Sequence, residues 1–147
     1  MKIALIISLA FISFVARGQD TTINNTVKDT TKHAVDDVYD KLFTKTEIEA
    51  SYPGGEMAWQ RFLVKNLRYP DDAVSNEIQG TVYVQFIVDK EGNVSDISAI
   101  SGPTRGGLRE EAVRMVKLSG KWTPAIQNGR QVKSLKKLPL TFKLSKG

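Results

Sequence analysis

From Gly80 to Val88 the chain reads GTVYVQFIV, and its apolar residues recur at every second position. Val82, Val84, Phe86 and Val88 share one side, while Thr81, Tyr83, Gln85 and Ile87 share the other. A period of two belongs to a half-buried strand, because successive side chains point to opposite faces of a sheet. DKEGN follows as a turn in which Gly92 can take a positive φ, and VSDISAIS returns as a second strand, so the pair predicts a hairpin. Val94 and Ile97 have opposite parity, which a bulge between them accounts for.

Two flanking stretches carry helical spacing instead. YPGG at 52–55 is turn chemistry, and Glu56 opens EMAWQRFLVKNLRYP, in which Trp59, Phe62, Leu63 and Leu67 fall on one helical face. Pro70 lacks an N–H and disfavours helix at Tyr69, so this helix is expected to end near Arg68. After the breaker SGPTRGG, residues Leu108, Ala112, Met115 and Val116 form a second stripe, with Glu110 and Glu111 in the favourable first turn and Gly120 as the stop. The last element, VKSLKKLPLTFKL, places Leu138, Leu140, Phe142 and Leu144 on one face and Pro139, Thr141 and Lys143 on the other. Proline cannot donate to a ladder, and Lys133, Lys136, Lys137 and Lys143 discourage stray pairing, so this strand belongs at a sheet edge. The predicted order is helix, strand, strand, helix, strand.

The N-terminus reads differently. Lys2, an apolar run from Ile3 to Ala16, and small residues at Ala16 and Gly18 predict a secretory signal over residues 1–18, cleaved before Gln19. As a helix that run reaches about 21 Å, short of a hydrocarbon layer of about 30 Å; an uncleaved anchor is the alternative. QDTTINNTVKDTTKHAVDD then reads as a flexible tether, with a short strand expected around Phe43 to Ile48. Losing Lys2 and Arg17 with the leader takes the formal charge from +5 to +3, and nucleic acid is not implied. The chain has no cysteine, and its one histidine, His33, lies in the tether, so neither a thiolate site nor a histidine-based acid/base pair can form within one chain. No cofactor or metal is expected, and nothing in the pattern supports an enzyme.

Taken together, YPGG, RYPDDA, GTVYVQFIVDKEGNVSDI, LREEAVRMV, KWTPAIQNG and LPLTFKL resemble the C-terminal domain of TonB-family proteins, particularly the form common in Bacteroidetes-type bacteria, from about Tyr52 to Leu144. The resemblance implies an α+β fold in which two helices pack on a three-stranded antiparallel sheet with the C-terminal strand at an edge. The implied organisation is leader 1–18, tether with short strand 19–51 and domain 52–147. The implied function is energy-coupled, siderophore-type transport across the outer membrane, in which the domain binds TonB-box segments of TonB-dependent transporters by strand addition. An inner-membrane proton-channel complex is the implied second partner, and exposed edges in this family also permit strand-exchanged homodimers. Carried over by position, Tyr69, Pro70 and Ala73 match the family's YPxxA element near the receptor, and Val132 to Phe142 match the pairing strand, with Val132, Lys133, Ser134, Leu135, Lys136, Lys137 and Thr141 as contact residues. Its lysines either attract an acidic segment or solubilise the edge. Trp122 either caps the core or stands exposed against the receptor. With a cleavable leader and a tether of some thirty residues, the alternative is a free periplasmic interaction module that transmits no force.

Overall fold

The computed structural model describes residues 41–145. The leader, the tether through residue 40 and His33 lie outside the described residues. The two strands of the alternating stretch form as expected, β1 over Gly80–Val88 and β2 over Val94–Ser101. Val82, Val84, Phe86 and Val88 are all fully buried. The bulge is present: Gln85 pairs with Ser98 and Ile87 with Ser95, so Asp96 and Ile97 together face Phe86, and Asp96 takes a φ of 50°. That extra residue reconciles the parities of Val94 and Ile97.

The first helix, α1, spans Gly55–Asn66 and ends two residues before Arg68. Leu67 turns extended, and the Arg68 N–H donates to Glu111 Oε1 at 2.7 Å instead of to a helical carbonyl. A short helix, α2 over Asp71–Ser75, follows Pro70 and adds an element to the predicted order; two aspartates sit at its positive end. The second expected helix, α3 over Leu108–Leu118, buries Leu108, Ala112, Met115 and Val116 completely.

The closing segment breaks where an unbroken strand was expected. A hairpin of β3 over Ala125–Gln127 and β4 over Arg130–Val132 turns at Asn128 and Gly129, whose φ values of 50° and 71° are those of a two-residue hairpin turn. Val132 therefore ends β4, paired with Ala125, rather than opening the last strand; both side chains are fully buried. The last strand, β5, runs Ser134–Phe142 and pairs antiparallel along the whole of β1, from Gly80 with Phe142 to Val88 with Ser134. Sheet order is β2-β1-β5, so β5 is an edge.

Residues 43–51 form no continuous strand. Phe43, Ile48 and Ser51 make isolated bridges to Ser134, Ile126 and Thr123. Ile48 and Ser51 run antiparallel to one stretch, residues 123–126, whereas Phe43 runs parallel to β5, so the piece cannot hold one strand axis. Beneath them lies an aromatic cluster: Trp122 is 4% exposed, with its ring 5.0 Å from Phe86, 5.5 Å from Trp59 and 5.7 Å from Tyr52. Trp122 Nε1–H donates to Ser119 Oγ at 2.9 Å, and that hydroxyl donates to the Val116 carbonyl at 2.6 Å. The tryptophan is core, and its polar edge is satisfied inside the protein.

Candidate functional site

The outer edge of β5 is where backbone groups point away from the sheet. At its head, the Phe43 N–H donates to the Lys133 carbonyl at 2.9 Å and the Leu135 N–H donates to the Phe43 carbonyl at 2.8 Å. Leu135 thus aims outward, and because alternate residues of a strand turn their polar groups to opposite sides, so do Lys137, Pro139 and Thr141. Their outward groups bond to nothing among the described residues. The residues between them, Lys136, Leu138 and Leu140, turn their N–H and C=O groups inward to β1. Pro139 sits opposite Tyr83 on the outward parity, so its missing N–H costs the internal ladder nothing and removes a donor from the free edge.

Side chains around this edge divide in two groups. Lys137, Pro139 and Thr141 are exposed, Lys133, Leu135 and Lys136 are half-buried, and Ser134 is 3% exposed. The Ser134 hydroxyl has no hydrogen-bond partner among the described residues. Lys136 Nζ lies 2.6 Å from Glu49 Oε2, and that hydrogen bond, with the lysine's charge, holds the Glu49 carboxyl below its ordinary range. Between residues 43–50 and β5 runs an open groove of about 280 Å³, lined by Phe43, Thr44, Thr46, Glu49, Ser134 and Lys137 among others.

The YPxxA element lies at the other end of the strand. Tyr69 packs edge-on against Phe142 at 5.8 Å and its hydroxyl donates to the Ile78 carbonyl at 2.7 Å. Burial pushes its phenol pKa up. Pro70 is half-buried and Ala73 is wholly buried, so Ala73 offers no surface to a partner and instead fills the floor beneath α2. The same holds for Val132 and for the side chain of Ser134. The two sets of residues touch opposite ends of β5, about 26 Å apart at ~3.3 Å per residue. Tyr69 is itself anchored through α3: Glu111, 8% exposed, accepts from the neighbouring Arg68 N–H and from Arg114 at 2.7 Å, while Arg114 also donates to the Asn66 carbonyl at 2.9 Å. Burial raises the Glu111 pKa, but these hydrogen bonds outweigh it and leave the carboxyl below its ordinary value.

The sequence puts Phe43 in a short strand but does not tie it to β5, and Glu49 carries no signal of the ion pair that it makes with Lys136. The β-type residues before YPGG were the available signal, but they do not say which strand they join.

Residues 65–144 match the model of the family described as Gram-negative bacterial TonB protein C-terminal. The match begins inside α1, later than the Tyr52 expected from the motifs, although the structure packs Tyr52 and Trp59 into the same core. The fold resembles the NMR solution structure of the Helicobacter pylori TonB-CTD, at 24% identity and a TM-score of 0.50 over 65% of this chain and 91% of that one. No curated protein matches the chain significantly. With more than half of its length inside the family model and the sheet and helices in the expected order, the chain belongs to the family of Gram-negative bacterial TonB protein C-terminal domains.

Proposed function

We propose that this domain binds the TonB-box segments of outer-membrane TonB-dependent transporters by adding them as a strand to β5. Family membership carries a TonB-type role in energy transduction in general, exercised by an interaction module rather than an enzyme, and a periplasmic setting. The observation that supports the finer reading is the outward row at Lys137, Pro139 and Thr141, backbone groups unpaired among the described residues on an edge that is otherwise fully built into the sheet. Such a row takes an extended peptide through main-chain hydrogen bonds. A siderophore-type cargo and contact with an inner-membrane proton channel belong to the same proposal.

Titration of the ¹⁵N-labelled protein with a panel of receptor N-terminal peptides tests it. Amide shifts concentrated at Lys137, Leu138 and Thr141 are expected; no shift with any peptide removes the proposal. Sequencing the exported protein's N-terminus decides whether it can transmit force: a start at Gln19 leaves a module without a membrane grip, and an intact leader in the membrane fraction supplies one.

A further inference from the structure

Residues 43–51 are fastened to the domain at three points. Phe43 exchanges two backbone bonds with Lys133 and Leu135, Ile48 exchanges two with Ile126 at 2.9 and 3.1 Å, and Ser51 exchanges two with Thr123 at 2.8 and 3.1 Å. The Glu49 to Lys136 ion pair adds a fourth tie beside the edge itself. The outward N–H of Leu135 and the outward carbonyl of Lys133 are thereby consumed by the protein's own chain. The next outward groups along β5 have no partner among the described residues.

Resting on the strand-addition reading, we propose that this strap is a register stop: it confines a partner to the stretch from Lys137 to Thr141 and so selects an extended segment of about five residues. Within that stretch the edge offers N–H donors at Lys137 and Thr141 and carbonyl acceptors at Lys137, Pro139 and Thr141. The gap at Pro139 means the partner must set the carbonyls that accept from Lys137 and Thr141 four residues apart, about 13 Å along the strand. A longer partner strand would collide with Phe43, which already occupies the next place in the sheet. The groove between residues 43–50 and β5 lies where the confined segment runs out, so the partner's end turns aside there instead of continuing the ladder.

The test uses whichever receptor peptide binds in the titration above. Amide hydrogen exchange on the complex is expected to show new protection at Lys137 and Thr141 with Leu135 unchanged, and peptides extended toward the head of β5 are expected to bind no tighter. Phe43→Pro removes the N–H that donates to Lys133 and leaves the bond from Leu135 as the one backbone tie at that point; Phe43→Gly, which removes the side chain that packs this residue against the core, is a second route if the proline disturbs folding. In either released variant the longer peptide is expected to reach Leu135 and gain about tenfold in affinity, the worth of two further backbone bonds at about 0.7 kcal/mol each. If in the wild-type complex Leu135 exchanges its bond from Phe43 to the peptide, the stop is overturned while strand addition stands. If no peptide protects Lys137 or Thr141, strand addition and the stop fall together.

Discussion

Gly92 and Trp122 are joined backbone to backbone: the Trp122 N–H donates to the Gly92 carbonyl at 2.9 Å, and a Cβ built on Gly92 would stand 2.1 Å from the Trp122 carbonyl oxygen. The turn after β1 is thus clamped against the segment that seats the core tryptophan. Gly92 has a φ of 86°, so an alanine there meets both left-handed strain of about 1–2 kcal/mol and a backbone collision that also costs the Trp122 bond. Gly92→Ala is expected to lose more than about 3 kcal/mol in urea unfolding. Gly129→Ala is the control, since φ is 71° but nothing among the described residues stands within 4 Å of the added Cβ, and it should lose only about 1 kcal/mol. Equal losses would show that the clamp is not rigid.

Trp122 contacts three aromatic rings and is sealed from water. Trp122→Ala is expected to cost about 3–5 kcal/mol. Trp122→Phe keeps most ring contacts but loses the bond to Ser119 Oγ, and about 1–2 kcal/mol is expected. An unchanged melting curve for the alanine variant would count against its burial.

Much of this architecture is legible in the chain because period and packing agree. Val82 to Val88, and Leu108 to Val116, each present one face to one core, and the parity conflict of Val94 and Ile97 correctly locates the bulge at Asp96. The β3–β4 hairpin escapes because its strands are three residues long, too short to display alternation, although Asn128-Gly129 is a strong turn signal. Reading Val132 onto the last strand follows from the unbroken run of β-type and lysine residues through Lys133. Phe43 poses a different difficulty: its partner is some ninety residues away and is chosen by backbone groups, which every residue carries alike.

Acid should weaken the α1–α3 tie. Glu111 has its folded pKa below the ordinary value of 4.5, so its contribution is fully present above that value and fades as the pH falls through the lower folded one. Asp89 acts in the same direction; burial opposes its ionisation, but bonds from Asn93, Glu91 and Gly92 prevail. Glu111→Gln is expected to lose about 1–2 kcal/mol at neutral pH and to flatten the decline in stability below about pH 4.5. A parallel pH profile for wild type and variant would remove Glu111 from that decline.

Ser134 keeps a hydroxyl at 3% exposure with no hydrogen-bond partner among the described residues. An unmade buried hydrogen bond costs about 1–3 kcal/mol, whereas alanine at the site removes the polar atom and leaves almost no cavity. Ser134→Ala is expected to raise stability by about 1 kcal/mol. A loss of similar size would mean that the hydroxyl is satisfied in solution.

Pro139→Ala separates the inner ladder from the outer edge. Because Pro139 faces Tyr83 at a position whose polar groups point away from β1, alanine adds no internal bond and removes none. Stability is expected to change by less than about 1 kcal/mol, with the loss of proline's restraint on the unfolded chain setting the sign. On the outside, however, the new N–H turns a row with donors only at Lys137 and Thr141 into an unbroken one. A peptide that adds to β5 should then bind several-fold tighter, and the variant should also self-associate more readily, because a continuous edge is a template for any extended chain. Sedimentation velocity at increasing concentration, read beside the peptide titration, checks both; an affinity gain with no change at Lys137 and Thr141 amides would place the peptide elsewhere than on this edge.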